Sequence, residues 1–170
     1  MLQKVCNFLS TVLLIVLLLV AGVLILPPLA GCKNMAVLSG SMEPGIGVGS
    51  MVIAKPVDEV SLAVGDVITY KLTGDTLVTH RIIETDHENK QFITQGDANE
   101  VADGAPVAYS QVVGKVLFHV PLLGYVSIYI KTPLGIAGIC GALIVIIILS
   151  FLPDVLKKEE KKEEAKETEK

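Results

Sequence analysis

The sequence predicts a mostly β protein in which a small folded sheet, or partly closed barrel, is flanked by two transmembrane helices. Two uncharged apolar runs lie at residues 7–26 and 134–152, and a run of roughly 20 apolar residues is enough to cross a bilayer as a helix. The segment between them, 33–120, consists of short runs rich in Val, Ile and Thr that are separated by turn residues. This pattern is typical of strands, and the segment shows no convincing amphipathic helix.

Composition supports this division of the 170-residue chain. Mean hydropathy is +0.61, and the hydrophobic excess is concentrated in the two apolar runs. A net charge of −4 provides no basic face for nucleic acid. The three cysteines, Cys6, Cys32 and Cys140, show neither metal-binding spacing nor a disulfide framework. We therefore expect no metal, cofactor or nucleic-acid partner.

The first apolar run, 7–26, follows a single charge, Lys4, and we expect Pro27 and Pro28 to stop its helix. A cleaved signal peptide has a shorter apolar core of about 7–15 residues, so the length favours a retained membrane helix. The segment LAGC, which ends at Cys32, resembles a bacterial lipobox. A lipoprotein whose mature chain begins at Cys32 is therefore an alternative.

The middle segment contains six predicted strands, each bounded by Gly, Pro, Asn or Asp. They lie at 35–38, 51–55, 66–71, 77–84, 91–95 and 112–119. A domain of this size has a modest core, and membrane attachment is expected to help stabilise it.

The chain then returns to apolar sequence. Residues 120–132 contain Tyr125 and Tyr129, and because tyrosine favours the membrane–water boundary we expect this segment to lie there. The run 134–152 is the second predicted span, with glycines spaced for packing against the first helix. Pro153 is expected to end it.

The tail, 153–170, is a mixed run of Lys and Glu, which is typical of a solvated helix or of disorder. Two spans place both termini on one side of the membrane. Because lysines cluster after the second span, the termini are predicted to be cytoplasmic and the domain 33–120 extracytoplasmic.

A serine in a turn is the first candidate for chemistry. Ser41 lies in SGSMEP, where Gly40 and Pro44 disfavour a helix or a central strand and would let the hydroxyl project into a cleft. The alternative is an ordinary Ser-Gly-Ser turn. As a nucleophile, a serine hydroxyl needs a base within hydrogen-bond reach.

Of the three histidines, His80 is the best candidate base. His87 lies in an apparent exposed turn and His119 at the end of a strand near the membrane. In VTHRI, strand alternation places His80 on the same face as Val78 and Ile82, the predicted inner face. A histidine pKa near about 6.5 suits a general base, although a hydrogen-bonded core histidine fits the same position.

Two aspartates, Asp97 and Asp103, follow in a polar loop after the fifth predicted strand. Either could hold the imidazole, as in a Ser-His-Asp triad, although such loops also form simple Asx-turns. Lys71 is a rival base that would need burial to lower its pKa. Its position beside a turn predicts exposure instead.

Four motifs in order resemble the type I signal peptidases: SGSMEP at 39–44, GDVI at 65–68, THRI at 79–82, and GDAN at 96–99 with Asp103 after it. The resemblance covers roughly 37–118. It is closest to the branch with a Ser-His pair, found in archaea, the endoplasmic reticulum and some Gram-positive bacteria. The other branch has a lysine where His80 stands.

The resemblance implies a role for each matching residue. Ser41 would be the nucleophile, His80 the general base and Asp103 the residue that orients His80, with Asp97 in support. The family's oxyanion hole uses the nucleophile's backbone N–H and, in the lysine branch, a hydroxyl that corresponds to Ser39. Many relatives read GDNN, so the alanine in GDAN removes one side-chain contact from this loop.

The resemblance also implies the substrate: preproteins that carry a signal peptide, cut after small residues at the surface of the bilayer. The substrate would add as an extended strand, with small side chains in shallow pockets that we expect Val37, Met42 and Ile53 to line. The protein-export translocon is a further candidate partner. The implied location is the cell membrane, or the endoplasmic-reticulum membrane in a eukaryote.

Two alternatives remain at this point. A specialised peptidase that processes a few exported proteins would use the same residues. A non-catalytic membrane-anchored β module, or the lipoprotein described above, would present a binding surface and would have no need of Ser41 or His80.

Overall fold

The middle of the chain folds into one curled, seven-stranded antiparallel sheet. The computed structural model describes residues 2–72, 74 and 76–168, with side chains from 4 to 151. The strands are β1 (Lys33–Ala36), β2 (Met51–Lys55), β3 (Val67–Lys71), β4 (Leu77–Asp86), β5 (Gln91–Gln95), β6 (Val107–Ala108) and β7 (Val112–Val120), in the order β1-β2-β7-β3-β4-β5-β6. The predicted mostly β fold, a partly closed sheet, is confirmed.

The strand bounds follow the sequence pattern closely, and β2 and β5 have the predicted bounds. β1 begins two residues earlier than expected, at Lys33, because it pairs with β2 as far as Ala54. β6 was not predicted, since two residues are too few to show alternation.

Two apolar clusters form the core of the sheet. One is centred on Ile68, Ile82 and Phe92, and the other on Met42 and Val52. His80 and Ile82 are 8% and 0% exposed, so the alternation of β4 turns both inward, as predicted. The curl of the sheet thus brings a histidine and a turn residue, Met42, into the interior.

Besides the sheet, the described part of the chain contains three α-helices: α1 (Leu2–Leu29), α2 (Leu123–Tyr129) and α3 (Pro133–Thr168). Their segments Lys4–Leu29 and Pro133–Phe151 are long and apolar enough to cross a membrane. The expected stop at Pro153 is wrong, because α3 continues to Thr168. Pro153 removes only one backbone donor. The Lys- and Glu-rich tail after it has high helix propensity, so the helix continues.

The expected stop at Pro27 and Pro28 is also wrong, because both lie inside α1. The helix ends instead at Leu29, and Gly31, with a left-handed φ of 80°, follows it as the residue that breaks the helix. Gly31 N–H donates to Pro28 O (3.0 Å) and Cys32 N–H to Pro27 O (2.9 Å). These two bonds form a Schellman motif, which caps the last carbonyls.

Asn34 of β1 supplies the donors that the two prolines lack. Without N–H groups, Pro27 and Pro28 leave the carbonyls of Val23 and Leu24 unpaired. Asn34 Nδ2 donates to Leu24 O at 3.0 Å and to Val23 O at 3.4 Å. The end of α1 is therefore tied to the edge strand of the sheet.

We expect Asn34→Asp, which keeps the shape but removes the donor, to lower the free energy of unfolding by about 1–3 kcal/mol, the cost of unsatisfied buried polar groups. The measurement is denaturant unfolding in detergent micelles. In a Pro27→Ala/Pro28→Ala background the backbone donors return, so the same substitution should cost less. An equal cost in both backgrounds would contradict this assignment.

Candidate active site

Ser41 lies in a turn between β1 and β2, at the position that the sequence predicts. Glu43 N–H donates to Gly40 O (3.0 Å) and Ile46 N–H to Met42 O (2.8 Å), so the turn is closed by its own backbone. Met42 is 2% exposed and anchors the turn in the core. Ser41 itself is half-buried.

His80 and Asp103 form a direct pair. His80 Nδ1 lies 2.7 Å from Asp103 Oδ2. The same carboxylate oxygen accepts hydrogen bonds from Thr94 Oγ1 (2.6 Å) and Tyr70 OH (3.0 Å). Asp103 N–H in turn donates to Thr94 O at 2.8 Å. The loop aspartate is therefore fixed against β3, β4 and β5 at once.

These contacts keep Asp103 ionised. Burial alone would raise its pKa, but hydrogen bonds from His80, Thr94 and Tyr70 outweigh burial, so the pKa of Asp103 lies below its ordinary value. Burial raises the pKa of Tyr70 to about 12, so this phenol stays protonated and donates. An ionised carboxylate only accepts hydrogen bonds, hence His80 Nδ1 carries a proton.

Gly96 brings the histidine and the serine turn together. A Cβ at Gly96 would lie 2.5 Å from Ser41 O and 3.0 Å from His80 Nε2, so only glycine fits between them. Ala98 N–H donates to Ser41 O at 2.9 Å. The backbone of the loop that carries Asp97 and Asp103 thus holds the backbone of Ser41.

Asp97 is placed differently from Asp103. It accepts two hydrogen bonds from Arg81, Nε to Oδ1 at 2.8 Å and Nη2 to Oδ2 at 2.7 Å. Arg81 Nη1 also donates to Gly65 O at 2.7 Å, and its bond to Asp97 raises the pKa of the guanidinium. Asp97 therefore fastens its loop to β4, and among the described residues it is Asp103, not Asp97, that contacts the imidazole of His80.

Ser41 and His80 line one groove of about 800 Å³, together with Ser39. Ser39 Oγ lies 3.4 Å from Ser41 Oγ. The apolar walls include Val37, Met42 and Val52. The expectation that Ile53 lines this pocket is wrong: successive strand residues face opposite sides, and in β2 it is Val52 that faces the groove.

The other histidines, and the two lysines that could compete as bases, do not line the groove of Ser41 and His80. His87 Nδ1 lies 2.6 Å from Tyr109 OH. His119 lies opposite Val52 in the pairing of β2 and β7. Lys115 forms an ion pair with Asp66 at 2.6 Å, and Lys71 is exposed at the end of β3.

Sequence reasoning missed Tyr70, Thr94 and Gly96. Tyr70 and Thr94 are inward residues of β3 and β5, and alternation could have placed them beside His80. Their bonds to Asp103 depend on how the loop returns over the sheet, which no local pattern encodes. Gly96 was within a quoted motif, but its close approach to two other segments is visible only in three dimensions.

Comparison with known proteins identifies relatives of one kind. Over 89 residues the chain is 42% identical to signal peptidase I W of Bacillus subtilis, a match that covers 51% of this chain and about half (47%) of that protein. It is 36% identical over 126 residues to the signal peptidase complex catalytic subunit SEC11 of Debaryomyces hansenii, covering 63% of this chain and 75% of the relative. No family model matches the chain.

A mammalian relative gives the same result: the signal peptidase complex catalytic subunit SEC11C of Rattus norvegicus is 31% identical over 125 residues, covering 65% of each chain. The relatives are thus signal peptidases from a bacterium, a yeast and a mammal. The chain belongs to the type I signal peptidase family, and it is an enzyme of that family.

Proposed function

We propose that this chain is a membrane-bound serine endopeptidase that removes N-terminal signal peptides from exported proteins by cutting after small residues. The observation that carries the proposal is the 2.7 Å pair between His80 and Asp103, because His80 lines the same groove as Ser41. The family relationship supports the same activity.

The proposed chemistry follows from the tautomer of His80. With the Nδ1 proton held by Asp103, Nε2 has a free lone pair that can take the proton from Ser41 Oγ as it attacks the peptide carbonyl. The ionised carboxylate then stabilises the imidazolium. His80 next gives the proton to the leaving amine, and water releases the acyl group from Ser41 by the same route.

The developing oxyanion needs donors aimed at it. We assign this role to the backbone N–H of Ser41 and to the hydroxyl of Ser39. The 3.4 Å separation of the Ser39 and Ser41 hydroxyl oxygens supports this assignment.

The groove supports the proposed selectivity. Its walls near Ser41 are apolar side chains such as Val37 and Met42, which leave room for small substrate side chains. β1 lies at the edge of the sheet and pairs only with β2 in the described part of the chain. A substrate strand could add beside it through main-chain hydrogen bonds.

We propose that 7–26 and 134–152 span the membrane, with the catalytic domain 33–120 outside the cytoplasm and the termini, including the tail 153–170, inside. The apolar helices support the membrane assignment, and the lysine-rich tail supports the orientation. The yeast and rat relatives are named as subunits of a complex, so we propose partner subunits here too. Contact with the translocon remains a prediction.

The test of this function is cleavage of a model preprotein by the purified full chain in lipid vesicles, with sequencing of the new N-terminus. We expect one cut at the end of the signal peptide when a small residue precedes the scissile bond. The matched substrate, with leucine there instead of alanine, should not be cut. Equal cleavage of both, or cuts elsewhere, would contradict the proposal.

A further inference from the structure

The side chain of Asn99 lies beside the proposed base and nucleophile, and the mechanism above gives it no role. A Cβ at Gly96 would lie 2.8 Å from Asn99 Nδ2 and 3.0 Å from His80 Nε2. The same point would lie 2.5 Å from Ser41 O. Because these atoms surround one point, the amide of Asn99 is a neighbour of the imidazole nitrogen that is proposed to exchange the proton.

The backbone of Asn99 is fixed by hydrogen bonds. Asn99 N–H donates to Gly96 O at 2.9 Å and closes a tight turn. Gln95 Nε2 donates to Asn99 O at 2.7 Å. Ala98 N–H ties the same turn to Ser41 O at 2.9 Å. The place from which the Asn99 side chain extends is therefore set by its own loop and by the serine turn.

The side-chain amide of Asn99 is free to bind another molecule. Within the described part of the chain, the hydrogen bonds of this residue all use its backbone, and the residue is exposed. An asparagine amide carries two N–H donors and one carbonyl acceptor. A firmly held residue thus presents unused donors next to the proposed reacting groups.

The groove indicates which part of a substrate would meet this amide. It is lined by residues 35–39 and 76–80, together with Ser41, and Asn99 is not among its lining residues. The proposed function places the signal peptide in this groove, with the scissile bond at Ser41. Asn99 lies next to Ser41 and His80 but outside the groove, on the path of the chain that follows the bond. We call that part of the substrate the leaving segment.

From these observations we infer that Asn99 is a substrate-binding residue for the leaving segment. Its Nδ2 donates a hydrogen bond to a main-chain carbonyl of the residues that become the N-terminus of the mature protein. The bond recognises the peptide backbone, so it is independent of the side chains of the mature sequence. This inference rests on the proposed function and extends it to the far side of the scissile bond.

Two substrates with the same signal peptide separate this contact from the chemistry at Ser41. One is the model preprotein. In the other, an ethyl ester replaces everything after the scissile bond, so ethanol leaves and there is no leaving segment. The full chain with Asn99→Ala would be compared with wild type on both substrates in lipid vesicles. The matched control is Asn89→Ala, because Asn89 lies in the turn between β4 and β5, where its amide donates to Asp86.

We expect Asn99→Ala to lower kcat/KM for the preprotein by about 3–10-fold, the effect of losing one hydrogen bond. Its kcat/KM for the ester should equal that of wild type, which also shows that the variant folds. Asn89→Ala should change neither value. Equal losses on both substrates would overturn the inference and make Asn99 a structural support of its loop, and an unchanged kcat/KM for the preprotein would overturn it too. A wild-type chain that cuts neither substrate would overturn the proposed function itself, and the inference with it.

Discussion

Replacing Ser41 or His80 by alanine is expected to lower kcat by about 10⁴–10⁶-fold, because a nucleophile and its general base act as one unit. Ser41→Ala removes the attacking oxygen and leaves the turn's backbone hydrogen bonds in place. His80→Ala removes the proposed acceptor for the serine proton. The measurement is single-turnover cleavage of the model preprotein, with circular dichroism and thermal unfolding to show that both variants fold.

Two variants calibrate this result. His87→Ala removes a histidine that contacts Tyr109 and should leave kcat unchanged. Ser39→Ala should have an intermediate effect, a loss of about 10²–10³-fold, as for other oxyanion-hole donors. Full activity of Ser39→Ala would remove its assigned role. Cleavage that survives Ser41→Ala would remove the nucleophile assignment and return SGSMEP to an ordinary turn, whereas the absence of cleavage by the wild-type chain would favour a non-catalytic module.

Replacing Asp103 by asparagine is expected to lower kcat by about 10⁴-fold, the effect of the corresponding change in other triads. The asparagine has no charge to stabilise the imidazolium of His80. With its amide nitrogen toward Nδ1, it would also shift the imidazole proton to Nε2, where it blocks proton transfer from Ser41. Because Tyr70 and Thr94 donate to the same oxygen, Oδ2, they would face that amide nitrogen too, so circular dichroism and thermal unfolding are needed to show that the variant folds.

Asp97→Asn is the matched comparison, since it makes the same change in the same loop. Asp97 pairs with Arg81 at the surface, where the arginine side chain is 40% exposed, and exposed ion pairs contribute only about 0–1 kcal/mol. We therefore expect a smaller loss of kcat than for Asp103→Asn. An equal or larger loss would transfer the orienting role to Asp97 or to the loop as a whole.

The strands could be predicted from the sequence because alternation of apolar and polar residues is local. The same alternation correctly predicted that His80 faces the interior of the sheet. It did not decide between Val52 and Ile53 as lining residues, since the face that meets the groove depends on the curl of the whole sheet. Proline was a poor signal for the ends of α1 and α3. In α1, Asn34 compensates for the donors lost at Pro27 and Pro28, and in α3 the Lys- and Glu-rich tail continues the helix past Pro153.

The choice between Asp97 and Asp103 shows a second limit. Both follow the same strand in the same polar loop, and spacing alone treats them alike. In the structure the two aspartates have different partners. Thr94 and Tyr70, on two different strands, donate hydrogen bonds to Asp103, whereas Arg81 donates to Asp97. Such convergence depends on tertiary contacts among β3, β4 and β5.

The measurement that tests the Ser41–His80 mechanism most directly is the dependence of kcat/KM on pH. Asp103 has a lowered pKa and stays ionised throughout the neutral range. Its ionisation therefore does not change kcat/KM near neutral pH. If His80 is the base, kcat/KM should rise through one ionisation around neutral pH and then level off. A rise that occurs only at alkaline pH would contradict the account and point to Lys71 or Lys115 as the base.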